Sequence, residues 1–74
     1  MNTETITGKD LKTYRTLRGA TLEEVAEVLE ITKQRLSAIE SSARVRPERS
    51  EQIANAVDAV TQTKLRERIT GGVS

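Results

Sequence analysis

Lys33, Gln34, Ser37 and Ala38 stand together on one short stretch of this chain, and their side chains suit the edges of base pairs. A glutamine amide pairs in bidentate fashion with N6 and N7 of adenine, and a lysine donates to O6 and N7 of guanine. Ser37 suits either a base or a phosphate, and Ala38 is small and apolar enough to lie against a thymine methyl. Just beyond them, Arg44, Arg46 and Arg49 are placed to grip a phosphate backbone. Arg35 points sideways, to a phosphate or to water, and the hydroxyls of Thr21, Thr32 and Ser41 complete the candidates for backbone contact. This is chemistry of recognition rather than of bond making.

Bond making is disfavoured by composition. The chain has no histidine and no cysteine, so the commonest general base, the thiolate nucleophile and the main soft metal ligands are missing. No nucleophile elbow, phosphate-cradling glycine loop or HExxH-like pair occurs. No catalytic residue, metal, cofactor or small-molecule ligand is expected, and no disulfide can support the fold. The first seven residues lack an apolar core of the signal-peptide type, and no apolar run approaches the roughly 18 residues needed to span a bilayer. A cytoplasmic protein is the expectation.

The net charge of +1 hides an uneven distribution. Lys9, Lys12, Arg15 and Arg18 outweigh Glu4 and Asp10 in the first 20 residues. Glu23, Glu24, Glu27 and Glu30 then form an uncompensated acidic segment. Lys33, Arg35, Arg44, Arg46 and Arg49, against Glu40 and Glu48 alone, make the next segment basic. An acidic stretch followed at once by a basic one points to a polyanionic partner better than the total does.

Short helices must position these residues. The first begins near Gly8 or Lys9 and runs to Arg18, with Leu11 and Tyr14 on its apolar face and Gly19 as its stop. The second opens on a capping box, Thr21-Leu22-Glu23-Glu24, and ends near Leu29, with Val25, Ala26 and Leu29 turned inward. Thr32 caps the third, which runs from Lys33 to Ser41 with Leu36 and Ile39 inward. Two helices of this length joined by about three residues have helix-turn-helix spacing, over Leu22 to Ser41. Pro47 suits the first turn of a fourth helix reaching about Val60, with Ile53, Ala56, Val57 and Val60 on one face. A fifth, about Gln62 to Thr70, presents Leu65 and Ile69, and Gly71-Gly72 stops it. No strand period, internal repeat or linker interrupts the pattern. With 35% apolar residues and Tyr14 the only aromatic, the core is aliphatic and thin.

Each feature also has a plainer meaning. Capping boxes start many helices, Lys33-Gln34-Arg35 can be an ordinary solvated face, and the arginines after Ser41 can be a solubilising loop. Leu17 and Leu22 fall outside the assigned core: either they cover each other at the corner between the first two helices, or they form a partner surface. The joint pattern favours DNA binding.

Taken together, the run LKTYRTLRGATLEEVAEVLEITKQRLSAIESSARVRP resembles the phage repressor and Cro family of helix-turn-helix domains, the XRE type, over roughly residues 10–60. The resemblance rests on LxxxR in the first helix, T-x-E-E-x-A in the second and Ile39-Glu40 at the end of the third. It implies an all-α, lambda-repressor-like bundle of about five helices that binds operator DNA as a homodimer. It also implies a salt bridge between Arg15 and Glu40, and dimer contacts from Val60, Leu65 and Ile69, unless these are plain core. Three positions depart from the family's habit: Leu22 where glutamine is common, Glu30 where glycine is usual, and Ser41-Ser42 where Asn-Gly is common. The first removes an expected phosphate contact.

The expectation is thus a single domain over residues 1–74, with loose ends at about 1–7 and 71–74 and no sensor or ligand domain. It would act as a Cro-like or immunity-type repressor by occluding an operator. Two alternatives stand beside it: an antitoxin that represses its own toxin–antitoxin operon, and a protein-interaction adaptor that retains the fold without DNA binding.

Overall fold

The computed structural model describes residues 6–71, which form four helices: α1 (Gly8–Leu17), α2 (Leu22–Leu29), α3 (Lys33–Glu40) and α4 (Pro47–Gly71). Each start has a physical cause. Thr7 and Asp10 form a reciprocal capping box at α1, and Thr21 and Glu24 form a second at α2. At α3 the Thr32 hydroxyl accepts from the Arg35 amide at 3.1 Å. Pro47 opens α4, where its missing N–H is no loss.

The stops are as specific. Gly19 takes φ +74° after α1, and Glu30 takes the same left-handed conformation at φ 62° after α2. The Ala20 amide then closes back to the Arg15 carbonyl and the Ile31 amide to that of Ala26. Glu30 has a Cβ to accommodate, so its turn costs about 1 kcal/mol more than glycine would there.

The expected fourth and fifth helices are one continuous helix of 25 residues. No glycine or proline stands between Pro47 and Gly71 to break it. At the expected junction, the Thr61 hydroxyl donates to the Val57 carbonyl at 2.9 Å and leaves the backbone helical. The N-terminal boundary also differs from expectation. Ile6 pairs with Val45 in an isolated antiparallel bridge, the Val45 amide donating to the Ile6 carbonyl at 2.8 Å, and Thr7 is a cap. The expected loose ends at 1–5 and 72–74 lie outside the described residues.

Leu11, Ala20, Val25, Ala26, Leu36, Val45, Ile53, Ala56, Val57 and Val60 form the core, with Leu36, Ile53, Val25 and Val57 fully buried. Helix α4 packs on α1 and α2, and α3 packs on those same two helices and contributes Leu36 to the core shared with Ile53 and Val57 of α4. The recognition candidate therefore lies on an outer layer, held from one side only. Gly8 sets the spacing of that layer: its amide donates to the Ser42 carbonyl at 2.9 Å. A Cβ there would enter the backbone of Ile39 and Glu40.

Two apolar expectations change. Val60 is buried in the core because it faces the bundle in register with Ile53, Ala56 and Val57, so it is withdrawn as a dimer contact. Leu65 and Ile69, one and two turns further on, are exposed. Leu17 and Leu22 do not share a fate: Leu17 is 76% exposed at the end of α1, while half-buried Leu22 packs against the core. The idea that they cover each other does not hold.

Candidate nucleic-acid interface

Helix α3 has a built face and a bare face. On the built side, Leu36 is fully buried and Ile39 packs against the core. Glu40, at the last turn, is held by a guanidinium fork from α1: Arg15 Nε donates to Oε2 at 2.7 Å and Nη2 to Oε1 at 3.0 Å. The third arm of the fork, Nη1, donates to the Ala20 carbonyl at 2.9 Å and so ties the start of α2 to the same knot. The two side chains are only 8% and 5% exposed, so the pair is removed from solvent and Glu40 contributes no free charge to the surface.

On the bare side, Lys33, Gln34, Ser37 and Ala38 are all exposed. With Leu22 and Ser41 they line one shallow concavity between the N-terminus of α2 and the outer surface of α3. The amide of Gln34 makes no hydrogen bond to another described residue, and its donor and acceptor are both available.

The capping hydroxyls keep a donor. Thr21 and Thr32 accept from the Glu24 and Arg35 amides, leaving each O–H able to donate to a phosphate oxygen. Ser41 differs: its hydroxyl donates to the Ser37 carbonyl at 3.1 Å, so that proton is already engaged. Arg35, Arg44 and Arg46 are exposed and Arg49 half-buried, and among the described residues none forms an ion pair.

The acidic segment on α2 is partly neutralised within the fold. Lys64 Nζ of α4 lies 2.8 Å from Glu24 Oε1 and donates to the Gly19 carbonyl at 2.6 Å. The hydrogen bond from Lys64, followed by that from the Thr21 amide, lowers the Glu24 pKa below its ordinary value. Glu23 Oε2 lies 3.4 Å from Lys33 Nζ. On the far side of α1, Tyr14 donates to Asp58 at 2.7 Å beneath the Arg18 guanidinium, which sits 3.6 Å over the ring. The hydrogen bond to Asp58, then burial, raises the Tyr14 pKa.

Sequence reasoning missed the Thr7/Asp10 cap, the pairing of Glu23 with Lys33 and the Lys64 clasp. The first was visible as T-x-x-D before an apolar helix. The other two join residues from different helices and leave no local mark. Among the described residues, no cluster of carboxylates could hold a metal ion, and no helix is long and apolar enough to cross a membrane.

No curated protein and no solved structure matches the chain. A family model described as Helix-turn-helix matches residues 11–61, the span from Leu11 of α1 through α2, α3 and the arginine loop to the buried half of α4. The chain belongs to the XRE-type helix-turn-helix family, whose members are DNA-binding transcription regulators.

Proposed function

We propose that this protein is a sequence-specific repressor of the Cro or immunity type, which occludes a promoter by binding an operator in double-stranded DNA. The observation that carries the reading is the bare outer face of α3, four exposed residues of base-reading type on a helix held entirely from behind. Gln34 and Lys33 stand at the N-terminal end of α3, the part that meets base edges when such a helix enters the major groove. Ser37 and Ala38 follow one turn later. Arg44 and Arg46, with Arg35 and Arg49 at the flanks, supply phosphate contacts, and Thr21 and Thr32 donate from the helix starts.

Two copies would place two α3 helices in successive major grooves, about 34 Å apart. Leu65 and Ile69 are the exposed apolar residues best placed for the homodimer contact. The dimer is expected to assemble on DNA even where it is weak in solution.

Selection of bound sites from random DNA at a stated salt concentration tests this reading. Enrichment of a two-fold symmetric site, with half-sites one helical turn apart, is the expected result. Absence of enrichment would favour the adaptor reading, and a single asymmetric site would remove the homodimer.

A further inference from the structure

We infer that Glu23 is a specificity-determining residue: its carboxylate tethers the Lys33 ammonium and so suppresses attraction to DNA of any sequence. The inference rests on the reading of α3 as the DNA-facing helix and concerns a residue that no part of that reading uses.

The geometry is simple. Lys33 is the first residue of α3 and Glu23 the second of α2, and their side chains meet at 3.4 Å on the rim of the concavity lined by Gln34, Ser37 and Ala38. The other two paired carboxylates of this region serve the fold. Glu40 is buried under Arg15, and Glu24 both caps α2 and holds Lys64. Glu23 does neither: its side chain is 74% exposed, and Lys33 is its sole partner among the described residues. An exposed pair of this kind adds little to stability. Its position beside the reading face is therefore its main consequence.

That consequence follows from the nature of the cation. A lysine ammonium is a compact charge on a flexible stem, and left free it seeks the nearest phosphate whatever the sequence. Glu23 occupies one of its three donors and anchors the stem toward α2, leaving two donors for a base edge. Lys33 is thereby converted from a roaming charge into a directed donor, suited to guanine O6 and N7. The carboxylate also removes about one unit of free positive charge from sequence-indifferent binding. Affinity for random DNA falls more than affinity for the operator, and the ratio between them rises.

The test compares wild type, Glu23→Gln, Lys33→Met and the double variant, each titrated with the selected site and with a random duplex across salt concentrations. Glu23→Gln is expected to bind random DNA about three- to tenfold more tightly at low salt, with a log–log salt slope steeper by about one. Its preference for the selected site falls correspondingly, while its melting temperature is unchanged. In the Lys33→Met background the same substitution is expected to have no such effect. An equal gain with and without Lys33 would show plain repulsion of phosphate by Glu23 and overturn the tether. So would an unchanged ratio in Glu23→Gln when wild type discriminates normally. If wild type itself does not discriminate between the two duplexes, the repressor reading fails first and this inference with it.

Discussion

The two faces of α3 differ in almost every respect. The inner face ends in a buried, bidentate ion pair, carries fully buried Leu36, and is brought within backbone contact of α1 by Gly8. The outer face is exposed and carries one loose ion pair, Lys33 with Glu23. Position is thus fixed from behind, and the front is left free to be answered by a partner. A reading helix that must be held to within a fraction of an ångström gains this from rigid neighbours rather than from its own contacts. Substitutions on the inner face should change stability and leave sequence preference alone. Those on the outer face should do the reverse.

The largest effect is expected from Arg15→Ala. It leaves Glu40 charged and buried, at a cost of about 3–5 kcal/mol, a large share of the stability of so small a domain. Urea unfolding at pH 7 measures it, and a loss under 1 kcal/mol would remove the pair from the account. Gly8→Ala forces α1 and α3 apart and is expected to cost about 1–3 kcal/mol by the same assay. On the outer face, Gln34→Ala should cost about 1–3 kcal/mol on the selected site and relax preference at one base pair, with no change in melting temperature. Equal weakening on all sequences would remove Gln34 as a base reader. Arg46→Ala should weaken binding to every duplex alike and flatten the salt slope by about one unit.

The smallest effect lies on neither face. Glu24 has a folded pKa below its unfolded one, so the Lys64 clasp and Thr21 cap add stability that is complete above the unfolded value of 4.5 and lost as pH falls through the folded value. Wild type should therefore lose stability below about pH 4.5 slightly more steeply than Glu24→Gln. Parallel melting curves from pH 7 to 3 would detect it, and identical acid limbs would show the clasp to be without consequence.

What the sequence made legible was whatever depends on near neighbours. Thr21 with Glu24, Thr32, Pro47 and Gly19 announced their helix ends, because a cap or a left-handed stop is local chemistry. The inward set of Val25, Ala26 and Leu36 was legible from helical period. What escaped depends on the third dimension. The need for glycine at position 8 comes from the backbone of residues 39 and 40, and Asp58 meets Tyr14 across 44 residues. The full length of α4 is not legible because its apolar face changes from buried Ile53, Ala56, Val57 and Val60 to exposed Leu65 and Ile69 within one unbroken helix. Val60 lay on the buried side of that boundary and Leu65 on the exposed side, a distinction periodicity cannot draw.

The central claim is that the bare face of α3 meets DNA. Its most direct test is to follow the backbone amide resonances of the protein on addition of the selected duplex. The largest shifts should fall on Lys33 to Ala38 and on Arg44 to Arg46, with the inner residues of α4, Ile53 to Val57, little affected. Shifts centred instead on exposed Val28 and the α2–α4 groove beside it, with α3 silent, would contradict the claim.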